Sequence, residues 1–492
     1  MSTVAPEITE TVANVIAGEE RAAESGVTFD KLAPATGEVI SRVARSSAAD
    51  VDAAITAAEA AQPAWGAETV VERGRVLREI AKLIERDADE LAAIVALETG
   101  KSPKDARGEV GAAAEQGYFM AGEGRRFFGR TTTSAVPNRQ AMTLRQPLGV
   151  AGLIIAANTP IANVAWKVFP ALICGNAAVL KASEDTPGTA VAFARHAAEA
   201  GLPPGVLNVV HGFGPEAGQP LVEDRRVAVI SFTGSTAVGR MINRVAGERL
   251  AKVCLELGGK NPFVVCDDGD LDRAAEQAAL SAFSNAGQRC ASGSRIVVFD
   301  AVYDVFMEKL LARASEQRVG PGDEHDFGPV INARQLENML GVVERAREKG
   351  ARILCGGERV TGPEHDGGFY MAPTLVEGLE YADEAAQTEL FGPISTVHRV
   401  SDFESAMTAA NDTPFGLTAA IWTDSVHRGQ EFLRRVRSGV ASVNGATYGS
   451  EPHMPFGGLG DSGTGWREPG PEALDVYSDV KTVYVNHDPS AV

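Results

Sequence analysis

The sequence predicts an α/β protein whose main sheet is parallel and doubly wound. From Gly149 onwards, short apolar segments alternate with segments whose apolar residues have helical spacing. The apolar segments 150–155, 177–181, 206–210 and 227–232 have the length of buried strands, and strands that alternate with helices form parallel sheets. A chain of 492 residues is too long for one hydrophobic core, so two or three domains are expected.

The N-terminal part is predicted to be mainly helical. Residues 1–25 have no clean apolar stripe and are expected to be weakly structured, and 27–46 is typical of short strands around a turn. Asp50 is the expected N-cap of the first helix, and Gly100 the stop signal of the second. Apolar spacing predicts helices at 49–65, 72–98 and 104–128.

The C-terminal half repeats the alternation of strands and helices. The segments 139–145 and 475–485 alternate as exposed strands do, and the second is expected to pair with a partner, which another subunit would supply. Helices are predicted at 187–200, 271–283, 302–314, 333–349 and 403–410, and strands at 252–257, 295–299, 351–355, 374–376, 395–399 and 439–443.

Composition excludes several classes of function. The formal net charge of −19 argues against a nucleic acid or an anionic membrane as partner, because both favour a basic surface. The longest apolar run, 150–157, is too short to span a bilayer. The five cysteines include no CxxC pair and no zinc-type spacing, so neither a disulfide scaffold nor a metal site is expected. The N-terminus lacks the basic and apolar regions of a signal peptide, which predicts a cytoplasmic protein.

Chemically informative residues follow several predicted strands. Cys290 is a candidate nucleophile among small residues in the segment 284–292, and the charge of Arg289 would favour a thiolate. Glu256 ends a strand before a Gly-Gly turn, and Asn158 follows the strand 150–155, which is where parallel sheets present catalytic groups. A lone cysteine is usually an inert buried residue, and an asparagine in a loop often only satisfies backbone groups.

A candidate phosphate-binding turn lies between Gly234 and Gly239. A strand, a turn of small residues and a helix N-terminus form a favourable site for negative charge. The turn does not have the pattern GxGxxG, and a plain tight turn between strand and helix remains the alternative.

Six motifs, in order and with similar spacing, resemble the aldehyde dehydrogenase superfamily over about residues 27–485. They are Lys181-Ala182-Ser183-Glu184, Phe232-Thr233-Gly234-Ser235-Thr236, Leu255-Glu256-Leu257-Gly258-Gly259-Lys260, Gly287-Gln288-Arg289-Cys290, Glu389-Leu390-Phe391-Gly392-Pro393 and Pro455-Phe456-Gly457-Gly458.

The resemblance implies an NAD-dependent mechanism with a covalent intermediate. Cys290 would attack an aldehyde, the Asn158 amide and the Cys290 backbone N–H would hold the oxyanion, and Glu256 would activate the water that hydrolyses the thioester. Lys167 would have a supporting role. Glu184 would accept hydrogen bonds from the adenine ribose and repel a 2′-phosphate, which favours NAD over NADP. The implied cofactor-binding set is Ile155, Lys181, Ser183, Glu184, Gly234, Ser235, Gly239, Leu257, Glu389 and Phe391.

The substrate is less constrained by the sequence. The expected entrance is polar, which favours a carboxylated semialdehyde with Arg289 as its anion partner, and an aromatic aldehyde is the alternative. The residues expected there are Asn163, Trp166, Arg289, Tyr448 and His453.

Two departures from the family pattern leave questions open. Ala156-Ala157-Asn158 stands where Pro-Trp-Asn is common, which removes an aromatic wall. The segment Gly465-Trp466-Arg467-Glu468 has one residue more than the common form, so a proton-relay role for Glu468 stays open.

Two other functions remain as alternatives. A CoA-acylating semialdehyde dehydrogenase would pass the thioester to CoA, but such relatives usually lack the glutamate that is present here as Glu256. A catalytically silent structural protein of the same fold would have no need of Cys290, Glu256 and Asn158 together.

The resemblance also implies the domain plan and the assembly. Residues 1–125 and 148–258 would form a Rossmann-type NAD-binding domain, and 259–474 an α/β catalytic domain. Residues 126–147 and 475–492 would form a small β arm that joins subunits in a homodimer or homotetramer.

Overall fold

The structure is a computed structural model that describes residues 11–491. Its strands and helices alternate from residue 150 onwards, which confirms the predicted α/β fold class. The strands are β1 Thr11–Val12, β2 Asn14–Ile16, β3 Glu19–Arg21, β4 Thr28–Leu32, β5 Val39–Ala44, β6 Thr131–Thr133, β7 Arg139–Pro147, β8 Val150–Ile154, β9 Ala177–Lys181, β10 Leu207–Val210, β11 Val227–Thr233, β12 Lys252–Glu256, β13 Asn261–Val265, β14 Gly293–Phe299, β15 Arg352–Cys355, β16 Thr374–Glu377, β17 Ile394–Val400, β18 Thr418–Trp422, β19 Val440–Val443 and β20 Ser478–Asn486.

Helices pack on the faces of these sheets. They are α1 Ala48–Ala67, α2 Val70–Arg86, α3 Ala88–Thr99, α4 Pro103–Glu123, α5 Pro160–Ile173, α6 Pro187–Glu199, α7 Gln219–Glu223, α8 Thr236–Glu248, α9 Leu271–Phe283, α10 Tyr303–Glu316, α11 Ala333–Glu348, α12 Glu384–Gln387, α13 Phe403–Asn411, α14 Val426–Arg435 and α15 Ala473–Tyr477. Within the part of the chain that the structure describes, no helix is both long and apolar enough to cross a membrane.

Two seven-stranded sheets organise residues 11–491. The first has the order β12-β11-β8-β9-β10-β2-β3, and its strands β8 to β12 are parallel. The second has the order β15-β16-β17-β14-β13-β18-β19 and is parallel except for β15. Because β12 ends at Glu256 and β13 begins at Asn261, only four residues separate the two sheets along the chain. The carboxyl end of β12 therefore faces the second sheet.

A third, exposed sheet has the order β20-β7-β6. β7 pairs antiparallel with β20 along its whole length, from Arg139 with Asn486 to Pro147 with Ser478. The predicted strand at 475–485 therefore begins three residues later, and its partner β7 lies in the same chain. The helix α15, at the boundary of the predicted catalytic domain and arm, packs its Leu474 and Tyr477 into the core of the first sheet.

The structure differs from the predictions at the N-terminus. Residues 11–21, predicted to be weakly structured, form β1 to β3. Asn14 Oδ1 accepts hydrogen bonds from Ser46 Oγ and from the backbone N–H of His211, which fixes β2 beside β10. Part of the same prediction, residues 1–10, lies outside the described residues.

Three helix boundaries also differ. The N-cap of α1 is Ser47, and Asp50 is the third helical residue of its capping box. The stretch 72–98 is two helices, because the backbone leaves helical geometry at Asp87, whose carboxylate pairs with Arg86. The predicted helix 104–128 ends at Glu123, where the chain turns towards the arm.

Candidate active site

The segment that contains Cys290 lies between α9 and β14 and has an unusual backbone. Asn285 and Ala286 have left-handed φ angles of 56° and 53°, which non-glycine residues rarely adopt. The Asn261 side-chain amide donates to the carbonyl oxygens of Cys290 and Ser292, at 2.7 and 2.8 Å. Because Asn261 begins β13, the second sheet holds the cysteine segment in a defined position.

Cys290 is a partly exposed residue and borders a small apolar cluster of Trp166, Leu417, Tyr448 and Phe456. Burial, together with the nearby negative charges of Glu389 and Glu256, raises the pKa of Cys290 to about 12. The free protein therefore holds a thiol at neutral pH, and a base is needed to form the nucleophile. The sequence expectation that Arg289 favours the thiolate is correct in sign, but its effect is smaller than that of burial.

Glu256 lies at the end of β12, and its side chain is almost completely buried. Neither carboxylate oxygen has a hydrogen-bond partner among the described residues. Burial, followed by the charge of Glu468, raises the pKa of Glu256 well above its usual value. A Cβ atom added to Gly457 would lie 2.7 Å from Glu256 Oε1, so the glycine leaves just enough room for this carboxyl group.

A buried polar network lies behind Glu256. Lys167 Nζ lies 2.8 Å from Glu468 Oε2 and donates to Ser231 Oγ at 2.7 Å. Ser231 Oγ and Tyr477 Oη both donate to Glu468 Oε1, at 2.8 and 2.9 Å. The extra residue before Glu468 therefore does not remove this side chain from the site, since its carboxylate is fully hydrogen-bonded beside Glu256.

Asn158 follows β8 and points at the cysteine segment. Its Nδ2 donates to the carbonyl oxygen of Gln288, two residues before Cys290, at 3.1 Å. Asn163 was expected at the substrate entrance, but it is buried, and its Nδ2 donates to Thr159 O at 3.0 Å and lies 3.4 Å from Asn158 Oδ1. Asn163 therefore orients the loop of Asn158, because its side chain folds back over the first turn of α5.

The turn between β11 and α8 has the geometry of an anion site. Ser235 is the N-cap of α8, so the free N–H groups of the first helical turn point out of the turn. A Cβ atom on Gly234 would contact the Phe232 ring, and one on Gly239 would contact Leu257, so both positions need glycine for close packing. The predicted cofactor residues Ile155 and Leu257 are buried in the same region.

Lys181 and Glu184 form the next part of this edge. Lys181 Nζ lies 3.2 Å from Glu184 Oε2, and Ser183 between them accepts a hydrogen bond from the Asp185 N–H. Burial raises the pKa of Glu184, but Lys181 and backbone hydrogen bonds outweigh it and hold that pKa below its usual value. This edge therefore carries a charged carboxylate, which can accept hydrogen bonds from hydroxyl groups.

Glu389 connects the two sheets across the site. Its Oε1 accepts a hydrogen bond from the Gly259 N–H at 3.0 Å, and burial raises the pKa of Glu389 to about 7. A Cβ atom on Gly258 would clash with the Glu389 carboxylate. Phe391 follows with a positive φ of 53° and is partly exposed.

Of the residues expected at the substrate entrance, Trp166 and Tyr448 belong to the apolar cluster around Cys290 and Arg289 stacks on Tyr448, whereas His453 lies outside that cluster. The Trp166 and Phe456 rings lie 5.5 Å apart, and the Arg289 guanidinium lies 4.8 Å from the centroid of the Tyr448 ring. The buried Nε of Arg289 has no acceptor among the described residues. His453 is more than half exposed beside Glu451 and lies outside the apolar cluster that the described residues form around Cys290.

Comparisons with known proteins agree with this arrangement. The model of the aldehyde dehydrogenase family matches residues 21–483, nearly the whole chain. The chain belongs to the aldehyde dehydrogenase family. The predicted class of enzyme is therefore confirmed, and the silent structural alternative has no support from the family match.

Three relatives cover nearly the full length of this aldehyde dehydrogenase. The alpha-ketoglutaric semialdehyde dehydrogenase of Bacillus subtilis strain 168 is 38% identical over 96% of this chain and 98% of the relative. The alpha-ketoglutarate semialdehyde dehydrogenase of Haloferax volcanii is also 38% identical, over 97% of this chain and 99% of the relative. A betaine aldehyde dehydrogenase from Staphylococcus aureus, solved in complex with NAD+, has a TM-score of 0.95 at 30% identity and covers 97% of this chain and 95% of that one.

Several residues of this aldehyde dehydrogenase site have no clear signal in the sequence. Lys101 and Glu109 form an ion pair of 2.5 Å beside Asn158, and Ser231 and Tyr477 bind Glu468. Ser231 lies inside an apolar strand, and a polar residue in such a strand indicates a buried hydrogen-bond partner, although the sequence does not show which residue this partner is. The other three lie on helices or turns that ordinary amphipathic patterning explains.

Proposed function

We propose that this aldehyde dehydrogenase uses NAD to oxidise an aldehyde that carries a carboxylate, and that the product is the corresponding dicarboxylic acid. The model substrate is the aldehyde 2,5-dioxopentanoate. The observation that supports this most directly is the convergence of Cys290, Glu256 and Asn158 with Arg289, whose Nε has no acceptor among residues 11–491. The names of two full-length relatives, both α-ketoglutarate semialdehyde dehydrogenases, point to the same substrate class.

The first step forms a bond between sulfur and carbon. The Cys290 sulfur adds to the aldehyde carbon as the thiol proton passes to a base, and the carbonyl oxygen becomes an oxyanion. Glu256 is the base that we assign, because it is an unpartnered carboxyl group close enough to raise the pKa of Cys290. The Asn158 Nδ2 and the Cys290 N–H would hold the oxyanion, and such donors contribute roughly 10²–10³ in rate each.

The residues at the cofactor edge fit a dinucleotide. The α8 N-terminus would hold the pyrophosphate, Lys181 and Glu184 the adenine ribose, and Glu389 and Phe391 the nicotinamide end. NAD, when bound, supplies the acceptor for the hydride that leaves the former aldehyde carbon. The chain then holds a thioester on Cys290.

Hydrolysis completes the reaction. Glu256 first returns the thiol proton to solvent and then removes a proton from a water molecule, whose oxygen bonds to the thioester carbon. The carbon–sulfur bond then breaks, the acid leaves, and the Cys290 sulfur takes back a proton. General-base assistance of this kind contributes roughly 10²–10⁴ in rate. We favour water over CoA as the acceptor because Glu256 is buried and its carboxylate has no hydrogen-bond partner in the described part of the chain.

We propose NAD rather than NADP because of Glu184. Its carboxylate is held by Lys181 and keeps a pKa below the usual value, so it is negatively charged at neutral pH. A charged carboxylate at this position accepts hydrogen bonds from ribose hydroxyls and repels a 2′-phosphate.

Arg289 is the residue that we assign to the substrate carboxylate. Its guanidinium stacks on Tyr448 beside Cys290 and keeps a buried Nε free to donate. Charge-assisted hydrogen bonds from arginine to carboxylates are the stronger kind in proteins. An aromatic aldehyde is the second candidate, because Trp166, Phe456 and Tyr448 line the same cluster.

The assembly and the location of the protein are also proposals. We propose that the first sheet, with 1–125 and 148–258, forms the cofactor-binding domain and that 259–474 forms the catalytic domain.

The sheet of β6, β7 and β20 would join copies of the chain into a dimer or tetramer, because Val480 and Tyr484 leave apolar surface exposed on it. A reducing cytoplasm suits the five free cysteines.

The substrate assignment is tested by Arg289→Met. Loss of one charge-assisted hydrogen bond costs about 1.5–3 kcal/mol, so kcat/KM for 2,5-dioxopentanoate is expected to fall roughly 10- to 100-fold. The value for pentanal, which has no carboxylate, should change less than threefold. Arg78→Met, at an exposed position of α2, is the matched control.

Equal losses for both aldehydes would contradict the carboxylate role of Arg289. A wild-type preference for benzaldehyde over 2,5-dioxopentanoate would favour the aromatic alternative.

A further inference from the structure

A buried ion pair lies beside Asn158 and belongs to neither seven-stranded sheet. Lys101 follows Gly100, the left-handed end of α3, and Glu109 lies on α4. Lys101 Nζ is 2.5 Å from Glu109 Oε2, and the two side chains are only 5% and 6% exposed. Charged groups are buried at a high cost in solvation, so a pair in this position needs further partners.

Glu109 finds its further partners in the backbone of α5. Its Oε1 accepts hydrogen bonds from the N–H groups of Ile161 and Ala162, at 3.0 and 3.3 Å. The N-cap Thr159 makes no capping hydrogen bond with its own side chain, and Pro160 has no N–H. The carboxylate of Glu109 therefore replaces the missing cap, where the helix dipole also favours a negative charge.

Lys101 finds its further partner in Asn158 itself. Lys101 Nζ donates to the Asn158 carbonyl oxygen at 2.8 Å, and Asn285 Nδ2 approaches the same oxygen at 3.4 Å. The Asn158 side chain points the other way and donates to Gln288 O in the segment of Cys290. The ion pair thus fixes both sides of the loop, the carbonyl of Asn158 through Lys101 and the start of α5 through Glu109.

We propose that Lys101 and Glu109 are positioning residues that hold the Asn158 amide where the oxyanion on the Cys290 adduct forms. This inference rests on the oxyanion role that the proposed function gives to Asn158. Displacement of a catalytic group by about 1 Å can cost roughly 10²-fold in rate, and the shorter of the two hydrogen bonds to the Asn158 backbone oxygen comes from Lys101. The ion pair acts on the reaction only through Asn158.

The test follows the acylation of Cys290 by 4-nitrophenyl acetate, measured as the burst of nitrophenolate. This ester needs the thiol and the oxyanion donors but neither NAD nor a particular aldehyde. Lys101→Met and Glu109→Gln are expected to slow the burst roughly 10- to 100-fold, and Asn158→Ala at least as much. Lys104→Met, exposed and three residues away, should leave it unchanged.

The deciding result is the double variant Lys101→Met/Asn158→Ala. Because the lysine acts through the asparagine, the double variant should be as slow as Asn158→Ala alone. Glu109→Gln keeps an oxygen for the α5 N–H groups, so it should fold and bind NAD with the wild-type affinity while its burst is slow.

Three outcomes would overturn the proposal, and they differ from each other. Multiplied losses in the double variant would mean that Lys101 acts independently of Asn158. A wild-type burst in both Lys101→Met and Glu109→Gln, with a slow Asn158→Ala, would refute positioning and leave the proposed function intact. A wild-type burst in Asn158→Ala would refute the oxyanion assignment and this inference together.

Discussion

Replacement of Glu256 by glutamine separates the two halves of the proposed reaction. Neither Glu256 oxygen has a hydrogen-bond partner among the described residues, so Glu256→Gln changes charge and basicity but breaks no structural contact. Bond formation to Cys290 would also slow, because Glu256 takes the thiol proton in that step, but hydroxide from solvent can take this proton instead. Hydride loss needs no base. Hydrolysis of the thioester would lose its general base and slow roughly 10²–10⁴-fold.

The same variant has a predicted effect on stability, with a definite sign. Burial and the charge of Glu468 raise the pKa of Glu256 in the folded protein, whereas the unfolded chain keeps a value of about 4.3. The native state therefore holds a proton that the unfolded state loses, and the stability that this group contributes falls as pH rises above about 4.3. Glutamine has no charge to bury, so Glu256→Gln should gain stability relative to wild type between pH 5.5 and pH 8.5.

Rapid-mixing kinetics and thermal unfolding check both parts. Glu256→Gln should form about one NADH per site in a burst and then stall, and its melting temperature should exceed that of wild type more at pH 8.5 than at pH 5.5. Steady-state turnover within threefold of wild type would refute the role of Glu256 in hydrolysis. A melting temperature that falls below wild type at high pH would refute the account of its burial.

Two further predictions follow from the surroundings of the thiol and the base. Because the pKa of Cys290 is about 12, the rate of its alkylation by iodoacetamide should keep rising up to pH 10. Glu389→Gln should raise this rate severalfold at pH 9, because it removes a nearby negative charge. A rate that reaches a plateau near pH 8.5 in the wild type would contradict this. Gly457→Ala places a Cβ 2.7 Å from Glu256 Oε1 and should cost about 1–3 kcal/mol of stability in denaturant titrations and most of the turnover. Gly111→Ala, with open space around it inside α4, should keep the turnover and raise stability by about 0.5–1 kcal/mol.

The positions of Glu256 and Asn158 could be predicted because they follow from a local rule. Glu256 is the last residue of β12, and Asn158 lies four residues after β8 ends. The carboxyl ends of such parallel strands meet at one edge of the sheet. The strands β8 and β12 lie where their apolar runs predict them, so the two side chains arrive at the same edge.

The supporting residues could not be predicted, because their partners are distant along the chain. Lys101 bonds to a backbone oxygen 57 residues away, and Glu468 to a lysine 301 residues away. Such contacts depend on how helices pack on the sheets, which apolar spacing does not specify. For Glu468, the added residue leaves the role of the side chain open in the sequence, and the ion pair with Lys167 places its carboxylate beside Glu256.

The break between α2 and α3 is a further limit of local patterning. The apolar spacing continues from Ile84 to Leu91 with the period of one helix, so the pattern alone predicts a single element. The break depends on Asp87, which binds Arg86 and lies 3.0 Å from His196 Nε2 on α6. A tertiary contact thus overrides a continuous helical pattern.

The central claim is that this enzyme oxidises a carboxylated aldehyde as a covalent adduct on Cys290, with NAD as the hydride acceptor and water as the group that releases the acid. The most direct measurement is NADH formation from 2,5-dioxopentanoate by the wild-type protein and by Cys290→Ala, with and without CoA. Steady turnover without CoA in wild type, and none in Cys290→Ala, is the predicted result. Turnover that requires CoA, or that survives in Cys290→Ala, would contradict the claim.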